Sequence, residues 1–192
     1  MSKVTGQISI SLDGYVAGPN GEADWMFRHR DEAGHRWVED TLWQAGLHVM
    51  GSRSYFAMAG YWPTADTNTS APEHEREYAR RWKKAANVVF SRTLDKVNEP
   101  DRLVKDNVAE EIQRLKAQPG KSMVVGGAGL AASLMQLDLI DEVRLAIHPV
   151  ILGGGKPVFP ALDQMRRLKY VESRPIKGGV VVLKYQRIEP PA

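Results

Sequence analysis

The run Val124-Val125-Gly126-Gly127-Ala128-Gly129-Leu130 constrains the fold more than any other part of this chain. A short apolar strand passes straight into a glycine cluster, and the cluster opens a helix. Glycine admits φ > 0 and lets backbone N–H groups come close to an anion. The first turn of a helix adds partial positive charge and unpaired donors. Together these make a cradle for a pyrophosphate. The same residues would also serve a tight turn that needs small side chains and nothing more. The pattern is neither GxGxxG nor a lysine-bearing phosphate loop.

Two further stretches repeat the plan. Val49-Met50-Gly51-Ser52-Arg53-Ser54-Tyr55 carries a strand into a helix through glycine, with an arginine and hydroxyls at the junction. Val88-Val89-Phe90-Ser91-Arg92 ends a strand on one hydroxyl and one arginine. Ligands of open α/β sheets bind at the carboxyl ends of strands, and a guanidinium there forms charge-assisted bonds to phosphate. Two arginines beside one dinucleotide favour an extra 2′-phosphate, hence NADPH over NADH. Either arginine taken alone reads as a solvated surface residue; three such strand ends in one chain are harder to dismiss.

The other segments fill in an alternating pattern. Val4 to Leu12 alternates apolar and polar residues and predicts a half-buried strand. Asp13-Gly14 and Gly18-Pro19-Asn20-Gly21 predict loop. Asp31 to Gln44 predicts a helix ended by Gly46, and Leu47 to Met50 a strand. Ser52 is expected to cap a helix through Tyr55 and Met58. Gly60 to Ala71 reads as loop, Ala71 to Lys84 as a charged helix and Asn87 to Phe90 as a strand. Val108 to Ala117 is helical, Ser122 to Val125 a strand, about Leu130 to Leu137 a helix, and Glu142 to Val150 a strand. Gly153-Gly154-Gly155 marks a turn. Leu168 to Glu172 and Val180 to Ile188 predict two closing strands joined by Lys177-Gly178-Gly179. The expectation is one α/β domain, residues 1–192 with a core of about 3–187. Its three layers are a mainly parallel central sheet with helices on both faces and an antiparallel C-terminal edge.

Composition closes several routes. The absence of cysteine excludes disulfides, thiolate metal sites and cysteine nucleophiles. The five histidines show no metal-ligand spacing, so no metal is expected. A net charge of +3 is too small to imply a nucleic-acid partner. The basic run Arg80, Arg81, Lys83, Lys84 follows Glu73, Glu75 and Glu77, which reads as a solvated helix face laced with ion pairs. No apolar run approaches the length of a membrane span, and the N-terminus has no signal-peptide pattern. A cytoplasmic protein with no membrane partner is expected.

Taken in order, Ser11-Leu12-Asp13-Gly14, Gly51-Ser52-Arg53-Ser54-Tyr55, Phe90-Ser91-Arg92 and Gly126-Gly127-Ala128-Gly129-Leu130 resemble the dihydrofolate-reductase-like proteins. Leu139-Ile140-Asp141-Glu142-Val143-Arg144-Leu145, followed by the stretch His148 to Phe159, resembles more specifically the C-terminal reductase domain of the riboflavin-biosynthesis deaminase-reductase. The resemblance spans about Lys3 to Arg187. It implies an NADPH-dependent oxidoreductase of a small heterocyclic substrate, similar to 5-amino-6-(5-phosphoribosylamino)uracil reductase. The alternatives are a dihydrofolate-reductase-type pterin reductase and a non-catalytic nucleotide-binding module of the same fold. The resemblance also implies roles. Gly51, Arg53 and Ser54 would hold cofactor phosphates, and Ser91 and Arg92 the 2′-phosphate. Gly126, Gly127, Ala128, Gly129 and Leu130 would hold the pyrophosphate. The loop carrying Val16 and Ala17 would cover nicotinamide and substrate. It further implies a homodimer. Val125 stands where riboflavin reductases often carry glutamate. None of Asp31, Glu32, Glu39 and Asp40 aligns securely with the pterin-binding carboxylate of dihydrofolate reductase.

On the substrate side, Trp25 and Trp62 fall in segments expected to line the cleft, where an aromatic face can stack on a planar heterocycle or simply pack. Asp13 is the one catalytic candidate, as a proton source or substrate contact. The other reading is that it shapes the Asp-Gly turn. His148, directly before Pro149, reads as structural.

Overall fold

The computed structural model describes residues 2–28, 43, 45–85, 87–119 and 122–188. The helix expected from Asp31 to Gln44 lies outside these residues apart from Trp43, as do the four carboxylates just named. The described strands are β1 (Val4–Ile10), β2 (Tyr15–Ala17), β3 (Leu47–Gly51), β4 (Asn87–Phe90), β5 (Arg102–Val104), β6 (Met123–Gly126), β7 (Glu142–Ile147), β8 (Lys156–Pro157), β9 (Leu168–Pro175) and β10 (Val181–Arg187). The helices are α1 (Trp25–Arg28), α2 (Ser52–Ala59), α3 (Trp62–Ala65), α4 (Glu73–Trp82), α5 (Val108–Ala117) and α6 (Ala128–Gln136).

The main sheet runs in the order β5-β4-β3-β6-β1-β7-β10-β9. Strands β5 through β7 in that order pair in parallel. β10 is antiparallel to both β7 and β9. Why the central strands are apolar at every position follows from the packing. Val49 and Val88 point to one face, into the core shared with Ile112 and Leu115 of α5 and with Ala131 and Leu134 of α6. Their neighbours Met50 and Val89 point to the other, onto Tyr55 of α2 and Tyr78 and Trp82 of α4. A period of two with both faces covered demands a continuous apolar run. The expected layers are therefore those observed.

Local differences have local causes. Gly51, extended at φ −83 and ψ 166, is the N-cap of α2, and Ser52 is already helical, so Ser52 is not the cap. α6 starts at Ala128, two residues earlier than expected, so Gly129 lies inside its first turn. The stretch read as loop from Gly60 to Ala71 contains α3, where Pro63 suits the first turn because its missing N–H has no partner to lose. β5 has only three residues and no readable period. It is tied to α5 through Glu111, which accepts from Arg114 Nε at 2.8 Å and also pairs with Arg102. Arg114, helped by Arg102, holds the Glu111 carboxyl down from 4.5 to about 2. A depressed carboxylate stabilises the fold above its unfolded value. This tie is therefore intact above about pH 4.5 and is lost as pH falls toward 2.

The acidic and basic residues of α4 pair as expected. Glu73 meets Arg76 and Arg80 at 2.6 Å each, and Glu77 meets Arg81. All eight residues of β9 are exposed. That strand is the outer one, so the apolar strands β7 and β10 are covered on both edges within the sheet. Among the described residues no helix is long and apolar enough to cross a membrane.

Candidate functional site

The parallel strands deliver their carboxyl ends to one edge of the sheet. Register fixes the level at which each turn leaves it. Gly51 lies opposite Phe90, and Met50 lies opposite Gly126. The residues that follow, Ser52-Arg53-Ser54, Ser91-Arg92 and Gly127-Ala128-Gly129, thus leave three adjacent strands side by side. The sequence could not show this, because register is a tertiary property.

Two of the turns touch. Gly127 is the N-cap of α6 at φ 94 and ψ 126. A Cβ there would overlap Ser54 Oγ and stand 3.2 Å from Ser54 Cβ. Glycine is required for the backbone angle, and its bare Cα also leaves room for the Ser54 hydroxyl. A Cβ on Gly51 would meet Leu130 Cβ at 4.0 Å, a second point of contact between the same helices. α6 carries no acidic residue in its first turn and no side-chain cap. Its first intrahelical bond to the cap is Ala131 N donating to the Gly127 carbonyl at 3.1 Å. That leaves the N–H groups of Ala128, Gly129 and Leu130 without helical partners.

At the third turn, Ser91 Oγ accepts from Thr93 N at 3.3 Å and Leu94 N at 3.2 Å, shaping the loop that presents Arg92. Arg92 and Arg53 are exposed, and among the described residues neither has a hydrogen-bond or ion-pair partner. The arginines of α4, by contrast, are all neutralised. Two uncompensated guanidiniums, an uncapped helix terminus and a glycine cradle on one edge suit a phosphate-rich ligand. The residues present therefore fit the dinucleotide expected from the sequence.

A small ribbon stands beside this edge. β2 pairs antiparallel with β8, Tyr15 opposite Pro157 and Ala17 opposite Lys156. Gly155, at φ 127, packs so closely on Ala17 that a Cβ would overlap the Ala17 carbonyl oxygen. Val16 is buried and its side chain belongs to the main core, so only its backbone can face a ligand. Ala17 is half-buried.

Asp13 fastens this region. Its carboxylate accepts from Gly153 N at 2.8 Å and Leu152 N at 3.2 Å, joining the loop after β1 to the loop after β7. The Ser11 hydroxyl, followed by these two amides, holds the Asp13 carboxyl below the usual carboxylate range. A carboxylate kept ionised by these donors is a poor proton source, which favours the turn-shaping reading of Asp13 over the acid.

The tryptophans separate. Trp25 is buried and meets His148 edge-on, ring centroids 5.4 Å apart at 88°. His148 follows β7 directly, so this pair sits at the carboxyl edge, with His148 N bonded to the Ile10 carbonyl at 2.8 Å. Trp62 does not line the edge. Its indole N–H donates to Met58 Sδ at 3.3 Å, and its ring lies 4.2 Å from that of Tyr78. Those contacts commit it to the aromatic core on the α4 face, which corrects its assignment to substrate.

One residue was missed. The Lys156 ammonium lies 3.8 Å from the point where a Cβ on Gly129 would stand. In the sequence it is a lysine after three glycines, far from the cradle, and only the β2–β8 pairing carries it there.

The family model for the RibD C-terminal domain matches residues 2–182. The chain belongs to the RibD C-terminal domain family. It is 35% identical over 179 residues to Uncharacterized protein YyaP of Bacillus subtilis (strain 168), covering 93% of this chain and 91% of YyaP. Among solved structures, it superposes on a diaminohydroxyphosphoribosylaminopyrimidine deaminase/5-amino-6-(5-phosphoribosylamino)uracil reductase from Thermotoga maritima. The TM-score is 0.68 at 16% identity, covering 97% of this chain and 57% of that one. It also superposes on dihydrofolate reductase from Enterococcus faecalis complexed with NADP(H), with a TM-score of 0.64 at 14% identity and 97% of each chain covered. The expected dihydrofolate-reductase-like fold is thereby shown, and the RibD C-terminal family with it.

Proposed function

We propose that this protein is an NADPH-dependent reductase that delivers hydride to a C=N or C=O bond of a small heterocyclic substrate, of the kind reduced by 5-amino-6-(5-phosphoribosylamino)uracil reductase. The observation that carries the reading is the meeting of three strand-end turns at one level with two unpaired arginines and an uncapped helix terminus. Fold alone does not fix chemistry; this edge is what argues for it.

Gly51, Arg53 and Ser54 face the phosphates from α2, and Gly126 to Leu130 face them from α6. Arg92, presented by Ser91, takes the 2′-phosphate. Bound there, the nicotinamide supplies the hydride, and the protein contributes orientation and exclusion of water. Val16 and Ala17, in the ribbon held by Asp13, cover the nicotinamide side. Trp25, buried against His148, supports the substrate side from beneath by packing. The proton that completes reduction comes from water, because the Asp13 carboxylate is already committed.

The test is turnover. The purified protein is mixed with NADPH and a panel of amino-uracil, pterin and flavin-precursor substrates while the nicotinamide absorbance is followed. Oxidation of NADPH dependent on a heterocycle supports the reading. Tight NADPH binding with no turnover across the panel would replace it with the non-catalytic module, and no binding of NADPH would remove it.

A further inference from the structure

Lys156 opens β8 directly behind Gly155 and pairs across the ribbon with Ala17. Its exposed ammonium lies beside the first turn of α6, 3.8 Å from the position of a Cβ on Gly129. Some lysines of this chain find carboxylates, as Lys83 does with Asp66 and Lys116 with Asp141, each at 2.7 Å. Others, such as Lys96 and Lys177, are solvated; what sets Lys156 apart is its place beside the cradle. Among the described residues Lys156 has no hydrogen-bond or ion-pair partner. A cation beside the positive end of a helix is repelled by it, and α6 has no acidic residue in its first turn to offset this. The close approach of Gly155 to Ala17 fixes the strand that bears the lysine. Solvent screens the repulsion at this exposed position, and an anion bonded to both the ammonium and the first-turn amides would turn it into attraction.

We propose that Lys156 closes the pyrophosphate site from the ribbon side. It clamps the anion against the N–H groups of Ala128, Gly129 and Leu130, and so couples occupancy of the cradle to the position of Ala17. This rests on the dinucleotide reading above. It goes further by assigning the ribbon a charge that acts on the bridge common to both dinucleotides, whereas Arg92 acts on the phosphate only NADPH carries.

That difference supplies the test. Dissociation constants for NADPH and NADH are measured by intrinsic-fluorescence titration of the full chain, its Lys156→Met and Lys156→Arg variants, and Arg92→Ala. Inorganic pyrophosphate serves as competitor. Lys156 is exposed and unpaired, and an unchanged melting temperature shows that its variants fold. The expected result is that Lys156→Met weakens NADPH and NADH by the same factor. That factor is about tenfold, as for loss of one charge-assisted bond. Pyrophosphate competes less well, and Lys156→Arg retains most of the affinity. Wild-type affinity for both dinucleotides in Lys156→Met overturns the clamp and leaves the cofactor reading standing. Weakening of NADPH alone also overturns it, by moving the lysine to the 2′-phosphate. A wild-type protein that binds neither dinucleotide overturns both.

Discussion

Replacing Gly127 by alanine is expected to lower the unfolding free energy by about 2–4 kcal/mol and to weaken NADPH at least tenfold. Two effects compete to explain the first figure. One is overlap with Ser54 Oγ. A hydroxyl one rotation from relief is a small obstacle, of order 1 kcal/mol. The other is the backbone. At φ 94 and ψ 126 an L-residue lies outside every ordinary region. Holding one there costs about 1–3 kcal/mol. The backbone effect is the larger. Combining Gly127→Ala with Ser54→Gly should therefore recover only about 1 kcal/mol of the loss in urea denaturation. Full recovery would mean that crowding, and not the backbone angle, selects glycine. The loss of binding follows because a backbone that relaxes away from this angle and from Ser54 carries the first-turn amides of α6 with it.

Arg92→Ala is expected to weaken NADPH about 10–30-fold while changing NADH less than about twofold. The guanidinium is exposed and has no partner among the described residues, so its removal leaves no buried charge behind and should not alter stability. Exposure also puts the effect at the lower end of charge-assisted bonds and makes it shrink with added salt. Arg92→Lys should retain part of the preference, since a point charge replaces a fork. An equal loss for both dinucleotides would place Arg92 on the shared part of the ligand and remove the 2′-phosphate contact. The preference is read from calorimetric titrations at fixed ionic strength.

Much of this was legible in the residues, for physical reasons. The runs at Val49-Met50, Val88-Val89 and Val124-Val125 are apolar on both sides because helices cover both faces, and such runs betray buried parallel strands. The three glycine and hydroxyl junctions were visible because backbone angle and close approach restrict residue type. What escaped depends on contacts distant in sequence. The β2–β8 ribbon pairs Tyr15 with Pro157, and strands of two or three residues carry no period. Lys156 reaches Gly129 only through that ribbon. Trp62 is expected at the cleft because Gly60 to Ala71 reads as a loop beside it. That neighbourhood says nothing about Tyr78, which takes its ring. Asp13 reads as a turn residue or a substrate contact equally well until Leu152 and Gly153 are seen donating to it.

The central claim is that α2, the β4 turn and α6 grip one ligand together. Its most direct measurement is a titration of the isotope-labelled protein with NADPH, followed through backbone amide resonances. The account predicts that the amides of Arg53, Ser54, Arg92, Gly127 and Gly129 shift along one saturation curve, with a single dissociation constant. Shifts confined to one of the three turns, or gathered on β9 instead, would contradict it.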